Sequence, residues 1–236
     1  VSLLFTDFFE LHGDRCAGDD PAVLGGIARF RNRPVTVIGH LKGHDTRENL
    51  ACNFGMAHPE GYRKALRLMR QAEKFCRPVI TFIDTPGAYP GIGAEERGQA
   101  LAIASCLAGM LELKTPVISV ILGEGGSGGA LAFAAADRLL MQEHAIFTVI
   151  SPEAYASILW QDPARGRDAA EKMKITAQDL LAHRLIDEIV PEPLGGAHRN
   201  AGEAARLLGE ALERHLNEVT GLPIRELLAR RQERFR

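Results

Sequence analysis

Two continuous apolar runs dominate the hydrophobic pattern of the chain: Pro78-Val79-Ile80-Thr81-Phe82-Ile83 and Pro116-Val117-Ile118-Ser119-Val120-Ile121-Leu122. Runs of this length without polar alternation predict buried strands. Each run leads into a turn rich in glycine, Asp84 to Gly93 after the first and Gly123 to Gly129 after the second. A helix is predicted behind each turn, from near Ala94 in one case and over Ala130 to Ala136 in the other. Pro78-Val79-Ile80 and Pro116-Val117-Ile118 lie 38 positions apart. The repeat predicts neighbouring parallel strands whose loops emerge at one edge of the sheet, where open α/β sheets bind their ligands.

Elsewhere the periodicity changes. Leu4, Phe5, Phe8, Phe9 and Leu11 lie on one helical face and predict a helix over Leu3 to Leu11. Gly26 to Phe30 and Val35 to Leu41 read as strands of a hairpin joined at Arg31-Asn32-Arg33-Pro34. Lys42 to Pro59 has no period and reads as a long loop, a common carrier of function. Glu60 to Phe75 is an amphipathic helix. Asp137 to Met141, Ala145 to Val149 and Leu185 to Val190 read as short strands, with Ser151-Pro152 and Thr176 as helix starts between them. Helices are predicted over Ala201 to Asn217 and Ile224 to Phe235. The last is charged nearly all round, which predicts that it projects from the body or packs on a partner. Strand, turn and helix in repetition make an α/β fold, read as one domain over 1–236 with a C-terminal helical extension from about residue 199.

Composition narrows the function. Over 236 residues the net charge is −2, with 25% charged residues, so no electrostatic footprint points to nucleic acid or an anionic membrane. No apolar stretch reaches the length of a membrane span. Cys16, Cys52, Cys76 and Cys106 form no C-x-x-C pair, which argues against a zinc ribbon in this chain and fits a reducing, cytoplasmic setting. The chain opens on Val1 rather than Met, consistent with an N-terminal piece lying outside it.

The second glycine turn admits several readings. Gly123-x-Gly125-x-x-Gly128 matches the dinucleotide fingerprint, with Glu143 near the place of a ribose-binding acid. A nucleotide-triphosphate loop is excluded, because Gly129-Ala130 stands where Lys-Ser or Lys-Thr is required. The glycines could also serve tight packing alone. The doubled strand-turn-helix unit favours an oxyanion site, with one backbone N–H from Gly87 or Ala88 and another from Gly128 at a helix start. Ser127 reads as a cap or turn residue rather than a nucleophile. His40, His44 and His58 are candidate bases but read first as hydrogen-bonding histidines. Glu95-Glu96 reads as a first helical turn complementing the dipole, with Arg97 pairing with it or facing a ligand.

Longer motifs carry a resemblance. Phe5-Thr6-Asp7-Phe8, Glu10 to Arg15, Asn53-Phe54-Gly55-Met56, Pro59 to Arg67, Phe82 to Gly98, Gly123 to Leu131 and Ile189 to Arg199 resemble the carboxyltransferase α subunit of multisubunit acetyl-CoA carboxylase, bacterial or plastid. The resemblance runs through nearly the whole chain in order. It implies a crotonase-like (ClpP/crotonase) fold of repeated ββα units. It implies transfer of a carboxyl group from carboxybiotin, on a biotin carboxyl carrier protein, to acetyl-CoA, giving malonyl-CoA for fatty acid synthesis. The implied partners are a β subunit bearing a zinc ribbon, the carrier and biotin carboxylase, in an α2β2 assembly of the cytoplasm or, in a plant, the plastid stroma. Gly128 is then the first choice of oxyanion donor, Gly129 and Gly126 the alternatives, and Gly87 or Ala88 the opposing donor, with Gly125, Gly126, Gly128 and Gly129 on the carboxybiotin side. Leu41, Ala51, Cys52 and Ala57 depart from the family, which carries Gln, two basic residues and Pro at those places, and the family's longer N-terminal helical segment is absent here.

Two other classes compete: a self-sufficient crotonase-type acyl-CoA enzyme or a subunit of a related biotin-dependent carboxylase, and a non-enzymatic assembly subunit. By the resemblance, a hydratase would carry a catalytic Glu at the position of Leu131.

Overall fold

The computed structural model describes residues 1–235. Eight strands form one sheet: β1 Thr6–Glu10, β2 Val23–Phe30, β3 Arg33–His40, β4 Val79–Thr85, β5 Val117–Gly126, β6 Arg138–Gln142, β7 Ile146–Thr148 and β8 Glu188–Val190. Their order is β1-β2-β3-β4-β5-β6-β8, with β7 paired to the far end of β5. Ten α-helices accompany them: α1 Thr46–Ala51, α2 Pro59–Lys74, α3 Ile92–Glu96, α4 Gln99–Glu112, α5 Ser127–Leu131, α6 Pro152–Trp160, α7 Gly166–Met173, α8 Ala177–Ala182, α9 Ala201–Thr220 and α10 Ile224–Glu233.

The hairpin of β2 and β3 closes on Arg31 and Asn32 alone, both at positive φ, as a two-residue turn of the right twist requires. From β3 onward the sheet is parallel. Val79 lies beside Val117 and Ile80 beside Ile118, so the repeat in the sequence is the pairing register of β4 and β5. Alternation along these strands serves two layers. Val79, Ile83, Val117 and Ile121 face α2 and α4, whose Leu68, Met69, Cys106 and Met110 complete that core. Ile80, Phe82, Ile118 and Val120 face α9, which supplies Leu208, Leu212 and Leu216. Thr81 and Ser119 put hydroxyls into the first core and satisfy them on the Phe133 carbonyl, at 2.9 and 2.6 Å.

Four expectations are corrected. Leu3 to Leu11 is largely strand: β1 pairs antiparallel with β2, and a bulge at Asp7, at positive φ, breaks the alternation and imitates a helical face. The Lys42 to Pro59 loop contains α1, capped by Asp45, and a 3-10 turn over Asn53–Gly55. The helix after the second glycine turn begins at Ser127 and ends at Leu131, before most of the alanines.

The last helix does not project. Leu227 and Arg231 are buried beneath it. The Arg231 guanidinium uses all five N–H donors. Nε and Nη2 grip the Asp137 carboxylate at 2.8 and 2.6 Å, and Nη1 and Nη2 donate to the carbonyls of Met110, Leu113 and Thr115. Asp137 in turn accepts the Val117 N–H at the start of β5, at 2.7 Å. Arg231→Met strands this buried carboxylate and three carbonyls, and urea unfolding should show a loss of about 3–5 kcal/mol. A loss below about 1 kcal/mol would mean that α10 merely lies on the surface.

Candidate active site

The two glycine loops meet at the C-terminal edge of β4 and β5. Thr85 pairs with Gly125, and the chains then press together backbone to backbone. A Cβ on Gly126 would stand 2.0 Å from the Pro86 carbonyl oxygen. One on Gly129 would stand 2.6 Å from the Gly87 carbonyl carbon and 2.7 Å from the Ala88 nitrogen. Both positions therefore require glycine. Gly128 differs: its Cβ would meet only Ile103, at an ordinary 3.6 Å. Gly125 is backed by Phe147 and is paired on both sides of its strand.

Gly126 caps α5, and Ser127 takes a left-handed backbone (φ 52°) as the chain turns from strand to helix. Ser127 is thus a turn residue, as expected, but it is not the cap. The N–H groups of Gly128 and Gly129 lie in the first turn, ahead of any i−4 carbonyl of the helix. Across the contact, Thr85 clamps the first loop: its hydroxyl donates to the Gly87 carbonyl at 2.7 Å and accepts the Gly87 N–H at 3.1 Å. That N–H is spent. Among the described residues the neighbouring Ala88 N–H has no acceptor. A cavity of about 220 Å³ opens beside the turn, lined by Pro86, Glu124, Gly126, Ser127, Thr148 and Ser151 among others. A larger one, about 500 Å³, lies beyond β7 against α7 and α8 and touches neither glycine loop. The smaller is the one that borders both glycine loops.

The first loop is braced from α2 and the turn before it. The Gln99 amide donates to the carbonyls of Ala57 and Tyr89, each at 2.9 Å, and Tyr89 N–H donates to Ala57. Arg97 grips neither Glu95 nor Glu96 but the Glu60 carboxylate, at 2.9 and 3.3 Å, while Arg63 joins Glu60 to Asp14. Burial opposes the Asp14 charge, yet Arg63 and three loop N–H groups hold its carboxyl well below the usual carboxylate range. The histidines separate. His40 is buried against Phe133, and burial with the nearby Lys42 charge pulls it down to about 3, so it stays neutral and enclosed. His44 is exposed. His58 stacks on Tyr89, its ring centroid 4.2 Å away, and is a wall of the first loop. Glu143, the ribose acid of the dinucleotide reading, accepts the Glu192 N–H instead. Leu131, partly exposed, ends α5.

One cluster escaped the sequence reading. Lys42 donates to Asp84 at 2.9 Å and Glu124 at 2.6 Å, at the roots of the two loops. Burial opposes its charge, but the bonds to Glu124 and Asp84 outweigh this and raise the ammonium above the ordinary lysine range. The signal was the position of each residue near the C-terminal end of its strand, where a parallel sheet gathers side chains.

The chain matches known proteins in sequence and in fold. The family described as acetyl co-enzyme A carboxylase carboxyltransferase-like matches residues 1–236. The chain belongs to this family. Among curated members, the acetyl-coenzyme A carboxylase carboxyl transferase subunit alpha of Carboxydothermus hydrogenoformans is 59% identical over 236 residues, all of this chain and 73% of that one. The subunit of the same name from Heliobacterium modesticaldum is 61% identical, over 70% of its length. Among solved structures, a Pseudomonas malonate decarboxylase hetero-tetramer in complex with coenzyme A superposes with a TM-score of 0.74 at 18% identity, covering 91% of this chain and 86% of that chain. Transcarboxylase 12S, with methylmalonyl-coenzyme A bound, gives 0.71 at 20% identity, covering 88% of this chain and 38% of that chain. These likenesses are of fold, and they bear out the crotonase-like α/β architecture of this carboxyltransferase family member. No described helix is long and apolar enough to cross a membrane.

The close contacts separate the glycines by experiment. Gly126→Ala and Gly129→Ala should each lower stability by about 1–3 kcal/mol or more in thermal unfolding, whereas Gly128→Ala should stay within about 0.5 kcal/mol of the parent. Equal losses at all three positions would refute the backbone contact as the reason for the glycines.

Proposed function

We propose that this chain is the α part of a two-part carboxyltransferase. It works on carboxybiotin presented by a biotin carboxyl carrier protein and, with a zinc-ribbon β subunit, on acetyl-CoA, giving malonyl-CoA. Biotin carboxylase recharges the carrier, and the assembly is α2β2. The family match over residues 1–236 supports the activity. The observation that carries the site is the contact of the two glycine loops, which places the first turn of α5 against the Gly87-Ala88 peptide.

The residues present fit the ureido group of such a cofactor. A flat amide-like ring needs close backbone approach and donors aimed at one oxygen. Gly128 supplies an N–H from a position free of close backbone contact, and Gly129 supplies a second N–H beside it. Ala88 is the opposing donor, because the Thr85 hydroxyl occupies the Gly87 N–H. Gly125 and Gly126 form the floor and keep the loops in contact. When bound, carboxybiotin supplies the carboxyl group and, once that has left, a ring nitrogen basic enough to take a proton from the acetyl methyl. The chain's own part is electrostatic. Donors fixed by two strands meet the oxygen that gains negative charge, and they do so without reorganising during the reaction. No histidine need act as base: His40 is enclosed and His58 is stacked.

The purified chain alone should not carry out malonyl-CoA-dependent carboxylation of free biotin, and adding a zinc-ribbon β subunit should give turnover. Activity of the isolated chain would overturn the two-part reading. In the assembled complex, Gly128→Val should lower turnover on the order of a hundredfold, with light scattering still reporting the α2β2 mass. A near-normal rate would move the oxyanion site away from α5.

A further inference from the structure

We infer that Lys42 is a positioning residue that sets the spacing of the two glycine loops. The inference rests on the reading of Gly128 and Ala88 as oxyanion donors. The backbone ladders lapse where this spacing is decided. The β3–β4 pairing ends at Gly39 with Phe82. The β4–β5 register holds from Val79 to Ile83, then shifts, so that Thr85 faces Gly125. Asp84 and Glu124 sit within that irregularity, immediately before Thr85 and Gly125. There the Lys42 ammonium replaces the missing ladder. It bonds Asp84 Oδ1 at 2.9 Å and Glu124 Oε1 at 2.6 Å, and the Glu124 N–H donates to the same Asp84 oxygen at 3.1 Å.

Gly123 and Gly55 make room for this cluster. A Cβ on Gly123 would stand 2.9 Å from Asp84 Oδ1. One on Gly55 would stand 2.8 Å from the Asp84 carbonyl oxygen and 3.2 Å from Lys42 Cγ. Gly55 ends three consecutive left-handed residues, Asn53, Phe54 and Gly55, at φ 47°, 55° and 81°. Left-handed backbone is unfavourable at non-glycine residues, and here it folds the turn onto the lysine stem. An ordinary surface ion pair has no such scaffolding. Without the ammonium, two carboxylates would face each other at the roots of both loops, and their repulsion would part the Gly128 and Ala88 N–H groups.

The test uses the assembled α–β complex. Lys42→Met should lower kcat tenfold or more, leave the KM for acetyl-CoA nearly unchanged, and speed amide hydrogen exchange in peptides covering residues 85–88 and 125–129. Lys42→Met combined with Glu124→Gln removes one charge of each sign and should recover most of both losses. A packing role predicts a double variant no better than the single one, and that result overturns the inference. Unchanged exchange in Lys42→Met overturns it whatever the rate does. Faster exchange with a normal rate upholds the positioning and instead defeats the oxyanion reading. If Lys42→Met does not assemble, Lys42→Arg decides: restored assembly with native exchange supports the charge, and failure of both variants overturns it.

Discussion

The site depends on one contact, the pressing of Gly126 and Gly129 against the peptide units of Pro86, Gly87 and Ala88. Nothing larger than hydrogen fits at either Cα. The contact is possible only because β4 and β5 are adjacent, parallel and matched in register, so that both chains leave the sheet at one height. Everything around it maintains that relation. Two cores grip the strands from both faces, Thr85 clamps the first loop from within, and Gln99 ties that loop to the segment before α2. The donors themselves contribute little to stability. On the proposed reading these are the N–H groups of Gly128, Gly129 and Ala88, which the helical and strand ladders leave without a partner.

Much of this was legible in the sequence. The repeat of the two apolar runs was the register of two parallel strands, because buried parallel strands have no polar alternation to obscure the match. The hairpin and the capping residues Ser151 and Thr176 were legible too, since each depends on local chemistry. The errors have physical reasons. A bulge in β1 mimicked a helix. Charge around α10 concealed an arginine whose partners, Asp137 and three carbonyls, lie about a hundred positions away in the chain. Among the glycines, the sequence could not say which touch backbone. Gly128, the favoured donor, has room to spare, and the contact belongs to Gly126 and Gly129. Lys42 was missed because it lies in a segment without periodicity, and its partners become visible only when three strand ends are brought together.

Charge is handled differently at the centre and the margin. At the margin, pairs such as Arg206 with Glu203 are exposed and contribute little. Near the loops, carboxylates are held by several donors each: Asp14 by three N–H groups and Arg63, Glu60 by Arg63 and Arg97, Asp84 by Lys42 and the Glu124 N–H. On the proposed oxyanion reading, unbalanced fixed anions nearby would weaken the site. These carboxylates are accordingly neutralised where they stand and serve as braces.

The Arg231 clamp also bears on how the chain is made. The guanidinium closes contacts spanning 94 to 121 positions, so the carbonyls at the end of α4 and the carboxylate that holds the start of β5 wait for a residue of α10. Contacts of such separation are slow to form. A nascent chain still lacking α10 carries both glycine loops but not the anchor beneath their strands. A product terminated before α10 therefore exposes unsatisfied polar groups and apolar surface to the chaperones and proteases that sort unfinished chains.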